Sequence, residues 1–339
     1  MSKIYEALRQ AELDRAKSGS LDSDSGKDST STSQAVLDAV HAPAYSSNVR
    51  TLSTVSPIAK TTGDKASATP FADPKTPAVG HPGLAVDSAA IDFSQIPQIV
   101  WTPALHRLPA LEERGSSVEQ FRSLRSRMQE FRDLNTLKSI MVSSGLPQEG
   151  KSFIACNLAI SFARHKAGRV LLIDGDMRRA TLHTLLGCPQ GPGLTEYLSG
   201  EATIAEIMQR PASEDADHPV PQGLASLTFI PAGMEHDKAA DLSGNRRFDR
   251  LIAAAIPYFD WIVVDSSPVN LVSDGVNLAR ACDAVLLVAR GGVTKYEVAQ
   301  RALSELKASK VLGFVLNAVE NPPVAGGYYG YDGYDKIEK

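Results

Sequence analysis

The segment Gly145–Ser152, which reads Gly-Leu-Pro-Gln-Glu-Gly-Lys-Ser, constrains the fold of this chain more than any other feature. It directly follows a short apolar run and precedes a segment with apolar residues at helical spacing. In such a strand–loop–helix arrangement, backbone N–H groups and the helix N-terminus point at bound phosphates. We therefore predict a phosphate-binding loop, called the phosphate loop below, whose backbone is shaped by Gly145 and Gly150. Lys151 would supply a cation to the phosphates, and the Ser152 hydroxyl would ligate Mg²⁺.

Short apolar runs bounded by turns alternate with helix-length segments between residues 139 and 316. Continuous apolar runs are typical of strands that are buried on both faces. The pattern predicts an α/β fold, with a mostly parallel sheet and helices on both of its faces. The predicted strands are Ser139–Ser143, Val170–Ile173, Leu227–Ile230, Trp261–Val264, Ala284–Ala289 and Val311–Leu316.

Ahead of the sheet, the segment Ser116–Asp133 is predicted to form a helix that Ser117 caps. One apolar stripe at helical spacing supports this prediction. Its members are Val118, Phe121, Leu124, Met128 and Phe131.

The composition divides the chain into four parts. Residues 1–15 carry apolar side chains at helical spacing and predict a short amphipathic helix. Residues 16–98 are rich in Ser, Thr, Ala, Asp and Pro, and have too little apolar surface to offset the entropy of ordering, so they predict a disordered linker. Residues 99–323 form the predicted α/β domain, and residues 324–339 a flexible, tyrosine-rich tail.

Charge and composition exclude several classes of function. The net charge of -4 gives no overall basic field, so we expect no nucleic-acid partner. The three scattered cysteines indicate reduced packing residues and no disulfide or metal framework. The N-terminus is polar, and no apolar run approaches the length of a spanning helix, so we expect a cytoplasmic protein.

Acidic side chains follow two of the predicted strands. Asp174 and Asp176 come directly after one strand, and Asp265 after another. Ligands of open α/β sheets bind at the carboxyl ends of the strands, where these carboxylates would meet the phosphate loop. An aspartate at a strand end can also be an ordinary helix N-cap. The occurrence of all three together with a phosphate loop favours metal and proton handling.

From about Glu119 onwards, the chain resembles the cytoplasmic kinase domain of the bacterial tyrosine kinases (BY-kinases). These are capsule and exopolysaccharide biosynthesis autokinases on the MinD and ParA branch of the P-loop ATPases. The matching segments are the phosphate loop (Walker A), Asp174–Arg178 (Walker A′), Ile262–Pro268 (Walker B), Asp283–Thr294 and Gly313–Asn317.

The resemblance implies ATP and Mg²⁺ as cofactors. Asp174 would help to activate the attacking tyrosine hydroxyl, Asp176 and Asp265 would serve Mg²⁺, and Asn317 would lie near the adenine. The implied catalytic residues are Lys151, Asp174, Asp176 and Asp265; the implied metal residues are Ser152, Asp176 and Asp265; the implied nucleotide contacts are Gly145, Gly150, Lys151, Ser152, Phe153 and Asn317.

Three positions depart from related sequences. Ser267 stands where the family has a first proline after Walker B, and Phe153 stands where it commonly has threonine. Neither change removes a charged or metal-binding group. Leu146 stands where the partitioning and division-site relatives carry a lysine, which favours the kinase branch.

Four tyrosines lie in the last dozen residues, separated by Gly and Asp: Tyr328, Tyr329, Tyr331 and Tyr334. Composition alone also fits a low-complexity tail without a function. Beside an ATP site, the resemblance implies that this cluster is the autophosphorylation substrate.

Glu119, Arg122 and Arg125 repeat at helical spacing next to the apolar stripe of the predicted helix. They could be a solvated charged flank. The resemblance implies instead a contact with the next subunit of a cyclic homo-oligomer that phosphorylation of the tail would loosen.

The resemblance therefore implies a protein-tyrosine autokinase that regulates polymerisation and export of a capsular or exopolysaccharide. A separate transmembrane polysaccharide co-polymerase would recruit it to the inner face of the membrane and activate it, and a cognate tyrosine phosphatase would act on it. The alternatives are a MinD- or ParA-like ATPase switch with an incidental tail, and a scaffold that binds nucleotide but barely hydrolyses it.

Overall fold

The computed structural model describes residues 50–51, 91–165, 168–215, 219–234 and 238–319. The predicted helix over residues 1–15 and the tyrosine-rich tail over residues 324–339 lie outside the described residues, as does most of the predicted linker.

The centre of the fold is a seven-stranded sheet with the strand order β1-β9-β8-β3-β7-β4-β6. All pairs among its six longer strands are parallel, and only the two-residue β1 at the edge runs antiparallel to its neighbour. The six predicted strands and the mostly parallel sheet are confirmed. A separate parallel pair, β2 with β5, was not predicted. The strands are β1 Arg50–Thr51, β2 Gln98–Val100, β3 Ser139–Ser144, β4 Val170–Gly175, β5 Arg210–Ala212, β6 Leu227–Ile230, β7 Trp261–Ser266, β8 Ala284–Arg290 and β9 Val311–Asn317.

Helices cover both faces of the sheet. Along β3, Ile140 and Val142 belong to one hydrophobic core and Met141 to the other, because successive side chains of a strand point to opposite faces. Burial on both faces explains why the strands read as continuous apolar runs. The helices are α1 Ser116–Leu134, α2 Lys151–Arg164, α3 Leu182–Leu186, α4 Leu194–Ser199, α5 Ile204–Ile207, α6 Gln222–Ala225, α7 Ala239–Ser243, α8 Arg247–Ala255, α9 Ser273–Ala279 and α10 Tyr296–Glu305, with short 3₁₀ turns at Leu105–Arg107 and Pro109–Leu111.

Helix α1 lies where the sequence predicts it, and its apolar stripe packs on α2. The ring of Phe121 is fully buried, with its centroid 5.8 Å from that of Phe153. The predicted cap is wrong, because the N-cap is Gly115 and Ser117 lies inside the helix. Gly115 has φ 145, a conformation that favours glycine, so the backbone and not a hydroxyl defines this helix start.

The packed domain begins earlier than the predicted boundary at residue 99. Ile91 and Ile96 are buried in the second core, and the ring of Phe93 lies 5.6 Å from that of Phe259. Residues 91–98 therefore belong to the domain and not to the linker. Isolated apolar residues in a polar segment carry no periodic signal, which is why composition assigns them to the linker.

Candidate active site

The register of the parallel strands brings the acidic residues to the phosphate loop. Asp174 at the end of β4 pairs directly with Asp265 at the end of β7. Asp265 also pairs with Val142 of β3, the strand that leads into the loop. The carboxyl ends of adjacent parallel strands lie at one edge of the sheet. The phosphate loop, Asp174 and Asp265 therefore lie at the same edge, as the sequence predicts.

Gly150 has the backbone geometry that the phosphate loop needs. It is the N-cap of α2 with φ 96. A Cβ atom at this position would lie 2.0 Å from the side-chain nitrogen Nδ2 of Asn317, so only glycine fits here. The Asn317 Nδ2 donates a hydrogen bond to the backbone oxygen of Glu149 at 3.0 Å. Asn317, predicted near the adenine, therefore packs against the loop itself, and its Oδ1 atom has no hydrogen-bond partner among the described residues.

The side chain of Glu149 ties the loop to the segment after β8. Its Oε2 accepts a hydrogen bond from the Leu146 N–H at 2.8 Å, and its Oε1 accepts one from the Thr294 hydroxyl. Burial raises the pKa of Glu149, although the hydrogen bonds from Thr294 and the loop backbone oppose the shift. Sequence reasoning missed this contact, because Glu149 occupies a position at which the loop pattern accepts any residue.

Lys151 contacts Asp176. Its Nζ lies 2.7 Å from Asp176 Oδ2, and the two side chains are only 12% and 3% exposed. The same Nζ lies 3.2 Å from the Ser152 hydroxyl. Burial by itself would lower the pKa of Lys151, but the charges of Asp265, Asp176 and Asp174 outweigh burial and raise it. All three predicted acids therefore act electrostatically on the loop cation.

Asp174 is fully buried and holds backbone amides. Its Oδ2 accepts hydrogen bonds from the N–H groups of Thr181 and Leu182 at 3.2 and 3.1 Å, at the start of α3. Asp174 is not an N-cap residue, the alternative that the sequence left open, because the N-cap of α3 is Thr181; its side chain instead binds the start of that helix from outside. Burial, and then the charge of Asp265, raise the pKa of Asp174 well above its usual range. The carboxyl group thus combines a structural contact with an affinity for protons close to the loop.

Asp265 is fully buried, and neither of its carboxylate oxygens has a hydrogen-bond partner in the described part of the chain. Burial raises the pKa of Asp265 to about 6, against the opposing effects of the Lys151 charge and the Ser152 hydroxyl. A buried carboxylate without a partner is costly, and a bound cation would compensate it.

The described residues contain no cluster of three or more His, Cys, Asp or Glu side chains placed to hold a metal. Mg²⁺ does not require one, because it keeps several waters and binds through one or two carboxylates together with substrate phosphates. The Ser152 hydroxyl and the unpartnered oxygens of Asp265 fit that kind of site.

The remaining predicted site residues are placed as follows. Phe153 packs its ring against α1, as described above. Arg125 on α1 turns inward, where its Nη1 donates to the backbone oxygen of Ser161 on α2 at 3.1 Å. Glu119 and Arg122 pair with each other on the exposed side of α1. The tail tyrosines lie outside the described residues.

Among the described residues, no helix is both long enough and apolar enough to cross a membrane.

Comparisons with known proteins identify relatives of the chain. No family model matches the chain. It is 32% identical over 224 residues to the tyrosine-protein kinase CpsD of Streptococcus agalactiae, covering 65% of this chain and 91% of that protein. It is 30% identical over 223 residues to the tyrosine-protein kinase wzc of Salmonella typhimurium, but spans only 29% of that longer relative.

The fold also matches a solved structure, the kinase domain of the Escherichia coli tyrosine kinase ETK. The TM-score is 0.57 at 27% sequence identity, over 66% of this chain and 85% of the other. The relatives of this chain are named tyrosine-protein kinases. The chain itself has the phosphate loop and the paired strand-end aspartates described above. This chain belongs to the bacterial tyrosine-protein kinase family.

Proposed function

We propose that this chain is an ATP-dependent protein-tyrosine kinase that phosphorylates its own C-terminal tyrosines, Tyr328, Tyr329, Tyr331 and Tyr334. Through that reaction it would regulate polymerisation and export of a capsular or exopolysaccharide. One observation carries the proposal: the Lys151 ammonium contacts Asp176, while Asp174 and Asp265 pair on adjacent strands at the same sheet edge. The relatives are named tyrosine-protein kinases, which supports the same activity.

The phosphate loop would hold the phosphates of ATP through its backbone N–H groups, with Lys151 as the cation. Ser152, Asp265 and Asp176 would hold Mg²⁺, which neutralises charge on the phosphates when bound. Because Lys151 now contacts Asp176, the ammonium must exchange a carboxylate for a phosphate when nucleotide enters. Asn317 lies against the loop backbone, from where its unpartnered Oδ1 is a candidate contact for the base.

Transfer to tyrosine requires removal of a proton. A phenol with a pKa near 10 is a poor nucleophile at neutral pH. Asp174 would accept the hydroxyl proton while the phenolic oxygen bonds to the γ-phosphorus and the bond to the ADP oxygen breaks. Burial, and then the charge of Asp265, raise the pKa of Asp174, which makes its carboxylate a stronger proton acceptor.

The exposed part of α1 is the proposed contact with the next subunit of a ring. Glu119 and Arg122 are 63% and 40% exposed at their side chains, whereas Arg125 already binds α2. Each phosphate on a tail adds about -1.5 to -2 charges at pH 7, so several tails gathered at acidic sites would repel one another. Phosphorylation would therefore loosen the ring. A separate transmembrane co-polymerase would recruit the chain to the inner membrane face, and a tyrosine phosphatase would reverse the reaction.

Labelled ATP distinguishes the kinase from its alternatives. The purified full chain is incubated with labelled ATP and Mg²⁺, and the label is mapped to residues. We expect label on the tail tyrosines, none in the Lys151→Met variant, and wild-type labelling in Lys307→Met, an exposed lysine at the amino-terminal edge of the sheet. Free phosphate without labelled protein would indicate an ATPase switch, and neither product would indicate a scaffold.

Native mass spectrometry tests the ring. Dephosphorylated protein is expected to assemble and phosphorylated protein to dissociate. Identical assembly states in the two samples would contradict this part of the proposal.

A further inference from the structure

The end of strand β7 supplies a hydroxyl to Asp176. Ser267 Oγ donates a hydrogen bond to Asp176 Oδ1 at 2.9 Å, and the two residues are 1% and 2% exposed. The two residues directly follow the strand pair Gly175 and Ser266, the last pair that β4 and β7 form. The sheet therefore brings the two residues close together, and the Ser267 side chain completes the contact.

Three donors hold the Asp176 carboxylate. Oδ1 accepts hydrogen bonds from Ser267 and from the Arg179 N–H at 3.2 Å, and Oδ2 contacts Lys151. Lys151 must leave Asp176 when it turns to a phosphate. Once Lys151 has left, Ser267 is the only side chain among the described residues that still contacts Asp176. Its hydrogen bond is the shorter of the two at Oδ1.

We propose that Ser267 is a positioning residue that orients Asp176 for its task at the Mg²⁺–nucleotide site. This inference rests on the proposed function, because it takes Asp176 as a residue that serves the metal. Side chains that orient metal-binding groups typically change metal affinity by about 10- to 100-fold when they are removed. A proline at position 267 would have no hydroxyl to offer. This chain therefore adds a control on Asp176 that a proline could not provide.

Ser266 offers a matched control. It is also buried at the end of β7, but its hydroxyl donates to backbone oxygens, that of Val142 at 3.2 Å and that of Ser267 at 3.3 Å. Removing it deletes the same atom from the neighbouring position without touching Asp176.

The experiment measures the Kd of ADP for the full chain by calorimetry, once with Mg²⁺ and once with EDTA. The ratio of the two values reports how much the metal improves nucleotide binding, independently of phosphate transfer. We expect Ser267→Ala to lower that ratio about tenfold. The metal-free Kd should stay near that of wild type, and Ser266→Ala should keep the full ratio.

Threonine and valine have the same shape and differ by the hydroxyl, so they test the proposal even if alanine disturbs folding. Ser267→Thr should keep the wild-type ratio, and Ser267→Val should lose it. Equal ratios in these two variants would overturn the role of Ser267 while leaving the proposed function intact. A wild-type chain whose ADP binding gains nothing from Mg²⁺ would overturn both.

Discussion

Lys151 of the phosphate loop forms an ion pair with Asp176, with 2.7 Å between Nζ and Oδ2 and both side chains largely shielded from water. The loop cation is therefore compensated before any nucleotide arrives. Nucleotide binding has to replace this ion pair, which makes Asp176 both a competitor for Lys151 and a group that becomes available to a metal.

Removing the ammonium should destabilise the protein. Lys151→Met leaves acidic side chains buried without their cation, which should lower the free energy of unfolding on the order of 3 kcal/mol. Adding Asp176→Asn to the same chain should recover part of that loss. Urea denaturation measures both. Lys307→Met should stay within about 0.5 kcal/mol of wild type. A double variant no more stable than the single one would show that the pair is not coupled.

The charge on Asp265 should make the nucleotide-free protein less stable as pH rises. Burial raises the pKa of Asp265 to about 6 in the folded chain, against about 3.9 when unfolded, so the folded state binds the proton more tightly. The stability that the proton confers is complete below about pH 4 and is lost by pH 6 to 7. The free energy of unfolding of Asp265→Asn should therefore be higher than that of wild type above pH 7, by on the order of 3 kcal/mol, and equal to it near pH 4.

Thermal and urea denaturation in EDTA at pH 4, 6 and 8 measure this difference. Asp133→Asn, at an exposed position on α1, should show little pH-dependent difference from wild type. A constant offset between Asp265→Asn and wild type across this range would contradict the raised pKa.

Glu149 should control the shape of the phosphate loop. Its two carboxylate oxygens accept from the Leu146 N–H and the Thr294 hydroxyl, whereas glutamine offers one acceptor oxygen. Glu149→Gln should weaken ADP binding about tenfold, because one buried donor loses its acceptor. It should also speed hydrogen exchange in residues 145–150. The control is Gln148→Asn, at an exposed position of the same loop with φ 63, a conformation that asparagine tolerates. Unchanged exchange in Glu149→Gln would rule out this role.

Asp174→Asn should abolish transfer more than binding. The amide keeps an oxygen that can accept from the amides of Thr181 and Leu182, but it cannot take a proton from tyrosine. We expect the single-turnover rate of tail phosphorylation to fall about 10²- to 10⁴-fold, while the Kd of Mg²⁺-ADP changes only a few fold.

The matched control is Asp283→Asn. Asp283 also accepts from two backbone N–H groups, those of Lys138 and Ser139, but it lies at the opposite edge of the sheet. A similar loss of transfer in both variants would mean that Asp174 serves the fold and not the proton.

Much of the fold could be predicted because its signals are local. The strands are buried on both faces and read as uninterrupted apolar runs, and the phosphate loop has a dense pattern in eight consecutive residues. The position of Asp174 and Asp265 at one sheet edge followed from one rule, that parallel strands end at a common edge, whereas their direct pairing was not predicted. These features depend on neighbours in sequence or on topology.

The contacts that tune the site could not be predicted, because they depend on register and on rotamers. The Ser267 to Asp176 hydrogen bond joins residues 91 positions apart, and the Thr294 to Glu149 bond joins residues 145 apart. Arg125 has the helical spacing of an exposed interface residue, yet it turns to Ser161. Asp174 shows a mixed outcome, since one side chain both binds the backbone at the start of α3 and acts electrostatically on the loop cation.

The proposed kinase reaction depends on one pocket, in which the phosphate loop and the strand-end aspartates bind a single Mg²⁺–nucleotide. A crystal structure of the full chain with Mg²⁺ and a non-hydrolysable ATP analogue tests this most directly. We predict phosphates against the loop, the metal about 2.0–2.1 Å from the Ser152 hydroxyl, and Lys151 turned from Asp176 to the phosphates. Nucleotide bound elsewhere, or an occupied loop in which Lys151 still contacts Asp176, would contradict the account.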